Sequence, residues 1–105
     1  MKIEILPRAE QDILRQFRYY LVERDAPLVA LGFREAVINS LQRLKAYPRI
    51  GSLVRSAIHG LRCWPVKGFD SIRIYYVETT GGLRVVRILH GKRNVRRILM
   101  AERIT

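Results

Sequence analysis

Seven residues in the second half of the chain have side chains suited to phosphate chemistry: Arg62, Arg73, Tyr75, Arg87, His90, Lys92 and Arg93. On an antiparallel meander, alternate residues of neighbouring strands share a face. A basic, aromatic and imidazole cluster of this kind could bind a phosphodiester and catalyse its transesterification. That reaction needs a base for the 2′-hydroxyl, an acid for the leaving oxygen and positive charge on the phosphorane. His90 is the candidate base or acid, and the arginines would hold the phosphate. The plainer alternative is a solvated sheet face, or contact with a protein partner, and spacing alone does not separate these readings.

Other chemistries find less support. There is no Gly-rich phosphate loop, no His-Glu-x-x-His pair and no nucleophile elbow. His59 and His90 are unsupported as a metal pair by a carboxylate or thiolate set, so no metal site and no cofactor are expected. Cys63 is the only cysteine, which excludes an internal disulfide, and it reads as a small apolar residue. The tail, Arg93 to Arg103, has Ile98, Leu99 and Met100 among arginines. Such a basic amphipathic helix suits docking on a protein groove, or packing on its own domain.

The elements that would position these residues follow from periodicity. Lys2–Leu6 alternates as a short strand. Pro7 suits the first turn of a helix that runs to about Arg24, with Ala9, Ile13, Phe17, Tyr20 and Leu21 at helical spacing. A second helix runs from Pro27 to about Tyr47 on a stripe of Ala30, Phe33, Val37, Leu41 and Leu44. Leu31 and Ile38 form a second apolar face, which predicts contact with the first helix while the main stripe meets a sheet. Residues 49–60 read as a loop. Strands follow at 61–67, 71–78 and 83–89, with Gly68-Phe69-Asp70 and Thr79-Thr80-Gly81-Gly82 as the turns between them and His90-Gly91-Lys92-Arg93-Asn94 as a closing turn. Leu83, Val85, Val86, Ile88 and Leu89 are apolar in both phases of a strand, so this one should be central or covered on both sides. The fold class is α+β: an N-terminal strand and a helical hairpin packed on an antiparallel sheet, β-α-α-β-β-β, with a short basic C-terminal helix.

At 105 residues this is one domain, and 49% apolar content marks it as globular rather than disordered. No apolar run approaches the roughly 20 residues that span a bilayer. With no signal-peptide pattern, the expectation is a cytoplasmic protein with no membrane partner. Residues 1–48 hold 8 basic and 6 acidic side chains, net +2, whereas residues 49–105 hold 12 and 3, net +9. So lopsided a charge points to an acidic partner for the second half, whether nucleic acid, a nucleoprotein complex or an acidic protein that masks the charge, the plainer alternative being solubility alone.

Several features recur in a known order. Ala9, Asp12 and Ile13 open the first helix; Phe33 lies in the second; Leu44, Pro48 and Gly51 mark its end. Gly60-Leu61-Arg62 opens the second strand, Ile74-Tyr75 sits in the third, and Arg87-Ile88-Leu89-His90-Gly91-Lys92-Arg93-Asn94 ends the fourth. In this the chain resembles the ParE toxins of the RelE/ParE superfamily of type II toxin–antitoxin systems, over nearly its entire length. Asn94 stands where family members usually have Asp.

The resemblance implies the same fold and a toxin held inactive by a cognate antitoxin, in a hetero-oligomer. ParE toxins poison DNA gyrase by trapping a cleaved-DNA complex; RelE relatives cut mRNA on the ribosome. The ribonuclease branch relies on two lysines in the second strand, which align with Cys63 and Pro65. Its third-strand arginine aligns with Ile72, its C-terminal arginine with Arg93, and its tyrosine with Leu99. Most of that set is missing, which favours gyrase poisoning without catalysis. The alternative, an mRNA endoribonuclease acting on the ribosome, would use Arg87, His90 and Arg93. Candidates for target binding are Arg62, Arg73, Tyr75, Lys92, Arg93, Arg96, Arg97 and Leu99. Candidates for binding the antitoxin's C-terminal segment are Phe17, Leu21, Leu31, Ile38, Leu61 and Trp64. That segment is expected to be acidic and partly apolar, and to fold on binding. A third possibility is a plain basic interaction module.

Overall fold

A computed structural model describes residues 2–102. β1 (Lys2–Ile5) leads into α1 (Pro7–Arg18), whose last turn widens into a π-helical segment, Tyr19–Glu23. Pro7 and Pro27 occupy the first turns of α1 and of α2 (Pro27–Ala46), where a missing N–H goes unnoticed. Asp25, at φ 48°, reverses the chain between them. Then come β2 (Ser52–Leu53), β3 (Arg62–Val66), β4 (Phe69–Thr79), β5 (Gly82–His90) and α3 (Val95–Met100). β2 is a short strand inside the segment expected to be loop. No helix of the described residues is long and apolar enough to cross a membrane.

The strand order is β1-β5-β4-β3-β2. β2 to β5 form the expected antiparallel array, but β1 joins β5 in parallel, Lys2 opposite Gly82 and Ile5 opposite Val85, so the sheet is mixed. β5 is apolar on both faces and needs a neighbour on each edge, and the returning hairpin leaves β1 free to supply one. The approach is close: a Cβ on Gly82 would lie 1.8 Å from the Lys2 carbonyl oxygen, so only glycine fits there.

A bulge between Tyr75 and Tyr76 explains why β5 reads as apolar in both phases. Tyr76 pairs with Val85 and Tyr75 with Arg87, leaving Val86 as the extra residue. Leu83 and Val85 face the helices before the bulge and Ile88 does so after it; Val86 and Leu89 face the other side. The hairpin covers the first face with Ala9, Phe33, Val37, Leu41 and Leu44. Rings of Tyr20, Phe33 and Phe69 meet at 5.5–5.8 Å between centroids and lock the hairpin to the start of β4. The second face holds Leu61, Tyr75, Val77, Val86 and Leu89, and α3 lays Leu99 on it, 4% exposed. The C-terminal helix therefore packs on its own sheet. Leu31 and Ile38 are not buried between the helices as a second packed face would be: they are 52% and 47% exposed. α1 and α2 both bury their sheet-facing stripes, which leaves that second face outward.

Candidate functional site

The basic cluster anticipated on one face of the sheet is divided among three places. Arg87 is the first. Past Val85, β1 has ended and the edge of β5 would expose an unpaired N–H at Ile88. Asp12 of α1 fills that gap, its Oδ2 accepting from the Ile88 N–H at 3.0 Å. The same carboxylate takes Arg87 Nε at 2.7 Å and Nη2 at 2.8 Å, a two-pronged pair. Arg87 Nη1 donates to Glu102 at 2.6 Å, and Glu102 also accepts from Arg8 at 3.2 Å. Arg87, Asp12 and Glu102 side chains are at most 8% exposed. The Asp12 hydrogen bond raises the Arg87 pKa above its ordinary value against the opposing effect of burial, with Glu102 adding to the rise. Arg87 is thus a charged strut joining α1, β5 and the segment after α3. It is not grouped with His90 and Arg93 on an open surface.

The second place is a groove of about 500 Å³ on the sheet face that carries α3. Ser52–Ser56 form one wall and Val95, Arg96, Leu99 and Met100 the other; Cys63, Arg73 and Tyr75 form the floor. Leu53 and Met100, 67% and 73% exposed, are apolar rims. Tyr75 is buried, and burial raises its phenol pKa. Arg62 turns aside to the loop, donating to the carbonyls of Gly51 at 2.7 Å and Arg49 at 3.2 Å. Arg97 donates its backbone N–H to the Asn94 side chain, which caps α3.

The third place is a cleft of about 480 Å³ between the end of β5 and the wide turn that ends α1. His90, Lys92 and Arg93 line one side; Arg15, Gln16, Tyr19, Tyr20 and Arg24 line the other. The π-helical turn, closed by Arg24 N–H to the Tyr19 carbonyl at 3.0 Å, sets the two tyrosines and Arg24 there. His90 Nδ1 accepts from the Lys92 N–H at 3.1 Å, which fixes the ring through that nitrogen. A hydrogen bond to Tyr19, and its charge, raise the Arg24 pKa. Among the described residues no group of three or more His, Cys, Asp or Glu is placed to hold a metal ion.

A family model described as the ParE toxin of the type II toxin–antitoxin system parDE matches residues 3–95. This chain belongs to the ParE toxin family. The match spans every element that builds the groove and the cleft except most of α3. A solved structure titled chromosomal ParDE TA system from P. aeruginosa is similar at TM-score 0.68 and 15% identity, covering 86% of this chain and 95% of that one. At that identity the likeness concerns the fold. No match was found among curated proteins.

A ParE toxin has a cognate antitoxin, so its exposed apolar surface matters. Leu21, Leu31 and Ile38 stand 42%, 52% and 47% exposed on the hairpin. Phe17 and Trp64 are half-buried, Trp64 against the main core, while Leu61 is wholly buried on the other face. Sequence reasoning missed Leu14, Val22 and Leu28, at 64%, 65% and 81% exposure. For Leu28 the signal was present: Leu28, Leu31 and Ile38 recur at spacings of three and seven, off the sheet-facing stripe.

Proposed function

We propose that this ParE toxin, once free of its antitoxin, poisons DNA gyrase by binding, with no chemistry of its own. Docking that favours the cleaved-DNA state over the resealed one would trap it by differential affinity alone. The observation that carries this reading is the separation of Arg87 from His90 and Arg93, the three residues a ribonuclease would need together. Arg87 is spent on Asp12 and Glu102, while His90 and Arg93 lie in the cleft beside α1. Leu99, at the position of the ribonuclease tyrosine, is buried in the apolar cluster under α3. Arg73 and Arg96 in the groove, with Lys92 and Arg93 in the cleft and exposed Arg97, supply the positive surface for docking. Such a toxin acts in the cytoplasm, where gyrase is. The antitoxin's C-terminal segment would cover the exposed hairpin residues Leu21, Leu31 and Ile38, its acidic side chains answering the basic half.

Purified gyrase with plasmid DNA provides the test. The expected result is inhibited supercoiling and accumulation of cleaved plasmid; supercoiling at the normal rate with no cleaved product rejects the reading. A His90→Ala variant is expected to retain growth arrest. Loss of arrest in a folded His90→Ala protein, with mRNA left intact only in the variant, would favour ribosome-dependent cleavage instead.

A further inference from the structure

We propose that the cleft between the end of β5 and the π-helical turn is a binding site for the phosphodiester backbone of a nucleic-acid single strand. The claim concerns the toxin alone and does not rest on gyrase being the target. Arg15, Arg24, Lys92 and Arg93 converge on it from two separate elements, and none lines the groove under α3. Among the described residues none of these four makes an ion pair; the arginines that do are Arg8, Arg49, Arg84 and Arg87. Unpaired cations sharing one concavity repel each other, and an anionic ligand relieves that repulsion. The His90 ring, fixed through Nδ1, leaves Nε2 as a further donor beside them.

The walls decide between a strand and an acidic peptide. The cleft has no Val, Leu, Ile or Met in its lining; besides the stems of its long polar side chains, it offers the rings of Tyr19 and Tyr20. Tyr19 is 37% exposed, and its ring meets Tyr20 edge-on rather than face to face, at 5.5 Å between centroids. Bases stack on such rings irrespective of sequence, while cations follow the backbone. A partly apolar peptide segment finds its aliphatic counterpart elsewhere, on the outer hairpin face around Leu28, Leu31 and Ile38. The site would therefore read a strand's charge and stacking rather than its base order.

The test is fluorescence anisotropy of the full chain with a labelled single strand of about 12 nucleotides. DNA and RNA strands of the same sequence are separate arms, and a preference between them identifies the sugar. Arg15→Gln with Arg24→Gln is compared with Arg43→Gln and Lys45→Gln, an equal charge change in the last turn of α2. The cleft pair is expected to weaken binding at least tenfold and to flatten the plot of log K against log salt by about 1.4, two single-strand phosphate contacts. The control pair is expected to weaken it less than about threefold, since long-range charge is screened. Tyr19→Phe should bind normally and Tyr19→Leu about tenfold more weakly. Equal losses in the two double variants, failure of both strands to bind, unchanged binding by Tyr19→Leu, or displacement by an acidic peptide of equal charge at equal concentration would overturn the proposal.

Discussion

One wall of the groove under α3, the β2 side, hangs on a neutral phenol; the other, α3 itself, is tied down through a chain of charges. On the β2 side Tyr76, wholly buried, donates its hydroxyl to the Pro48 carbonyl at 2.7 Å and accepts from the Gly51 N–H at 3.0 Å. Arg62 adds bonds to the same loop. A Cβ on Gly51 would come within 2.5 Å of that hydroxyl, so the loop and the phenol are fitted to one another. On the α3 side Leu99 supplies the packing, and just beyond the helix Glu102 fastens the chain to Arg87 and Arg8, with Asp12 holding Arg87 from behind. The difference lies in what breaking each costs. A neutral pair loses a hydrogen bond, whereas removal of one buried ion strands its partner in a poorly solvated place. The groove therefore has a wall of modest cost to release and a wall whose anchor is shared with the fold.

The comparison breaks most directly at Asp12. Asp12→Ala leaves the Arg87 guanidinium half-paired and the Ile88 N–H without an acceptor. The expected loss is about 3–5 kcal/mol in urea denaturation. A loss below about 1 kcal/mol would mean that α1 and β5 are held by apolar packing alone and that the ion chain is incidental.

Asp12 also shows where the sequence stops being informative. Its place near the start of α1 reads as a complement to the helix dipole. Nothing local announces a buried partner 75 residues away. The hairpin was legible because Pro7, Pro27 and the Phe33-Val37-Leu41-Leu44 stripe are local signals. β5 was legible as a central strand, but the bulge at Val86 slips its alternation by one, and periodicity averages over such a slip. The parallel docking of β1 was hidden for the same reason as Asp12: its partner is β5, at the far end of the chain. The candidate cations were found, but their grouping was not. Residues 91–94 carry the chain from the hairpin side of the sheet, where His90 lines the cleft, to the opposite face, where Val95 and Leu99 pack. Cations on either side of that crossing thus serve two surfaces, Lys92 and Arg93 the cleft and Arg96 the groove, while Arg15 of α1 and Tyr19 and Arg24 of the π-helical turn complete the cleft.

Tyr76→Phe tests the neutral wall. It removes the donor to Pro48 and the acceptor for Gly51 while keeping the ring, so the expected loss is about 1–3 kcal/mol. pH gives a second reading of the same contact. Burial raises the Tyr76 pKa above its ordinary value, against the Gly51 N–H and Arg62, which favour the phenolate. The folded pKa lies above the unfolded value of about 10, so this stability is complete below that pH and is lost as pH rises through the folded value. Wild type is expected to weaken in that alkaline window, and Tyr76→Phe to weaken less there. Parallel alkaline curves for the two proteins would move the effect to Tyr75, whose pKa burial also raises.

Arg84→Ala is the smallest change and the sharpest control on the charged wall. Arg84 lies three residues before Arg87 on the same strand and pairs with Glu4 at 2.7 Å, as short a contact as Arg87 makes with Asp12. Its side chain is 30% exposed and that of Glu4 51%, against 8% and 2% for the buried pair. If distance governed, the two substitutions would cost alike. Water screens the outer pair, however, and its two long side chains lose entropy on pairing, so the expected cost is about 0–1 kcal/mol. Stability measured at low salt and at about 1 M salt, where the screening length falls to about 3 Å, separates the cases further. The small Arg84→Ala effect should vanish at high salt while the Asp12→Ala loss persists. An Arg84→Ala loss as large as that of Asp12→Ala, and insensitive to salt, would show that burial is not what makes the Arg87 anchor strong.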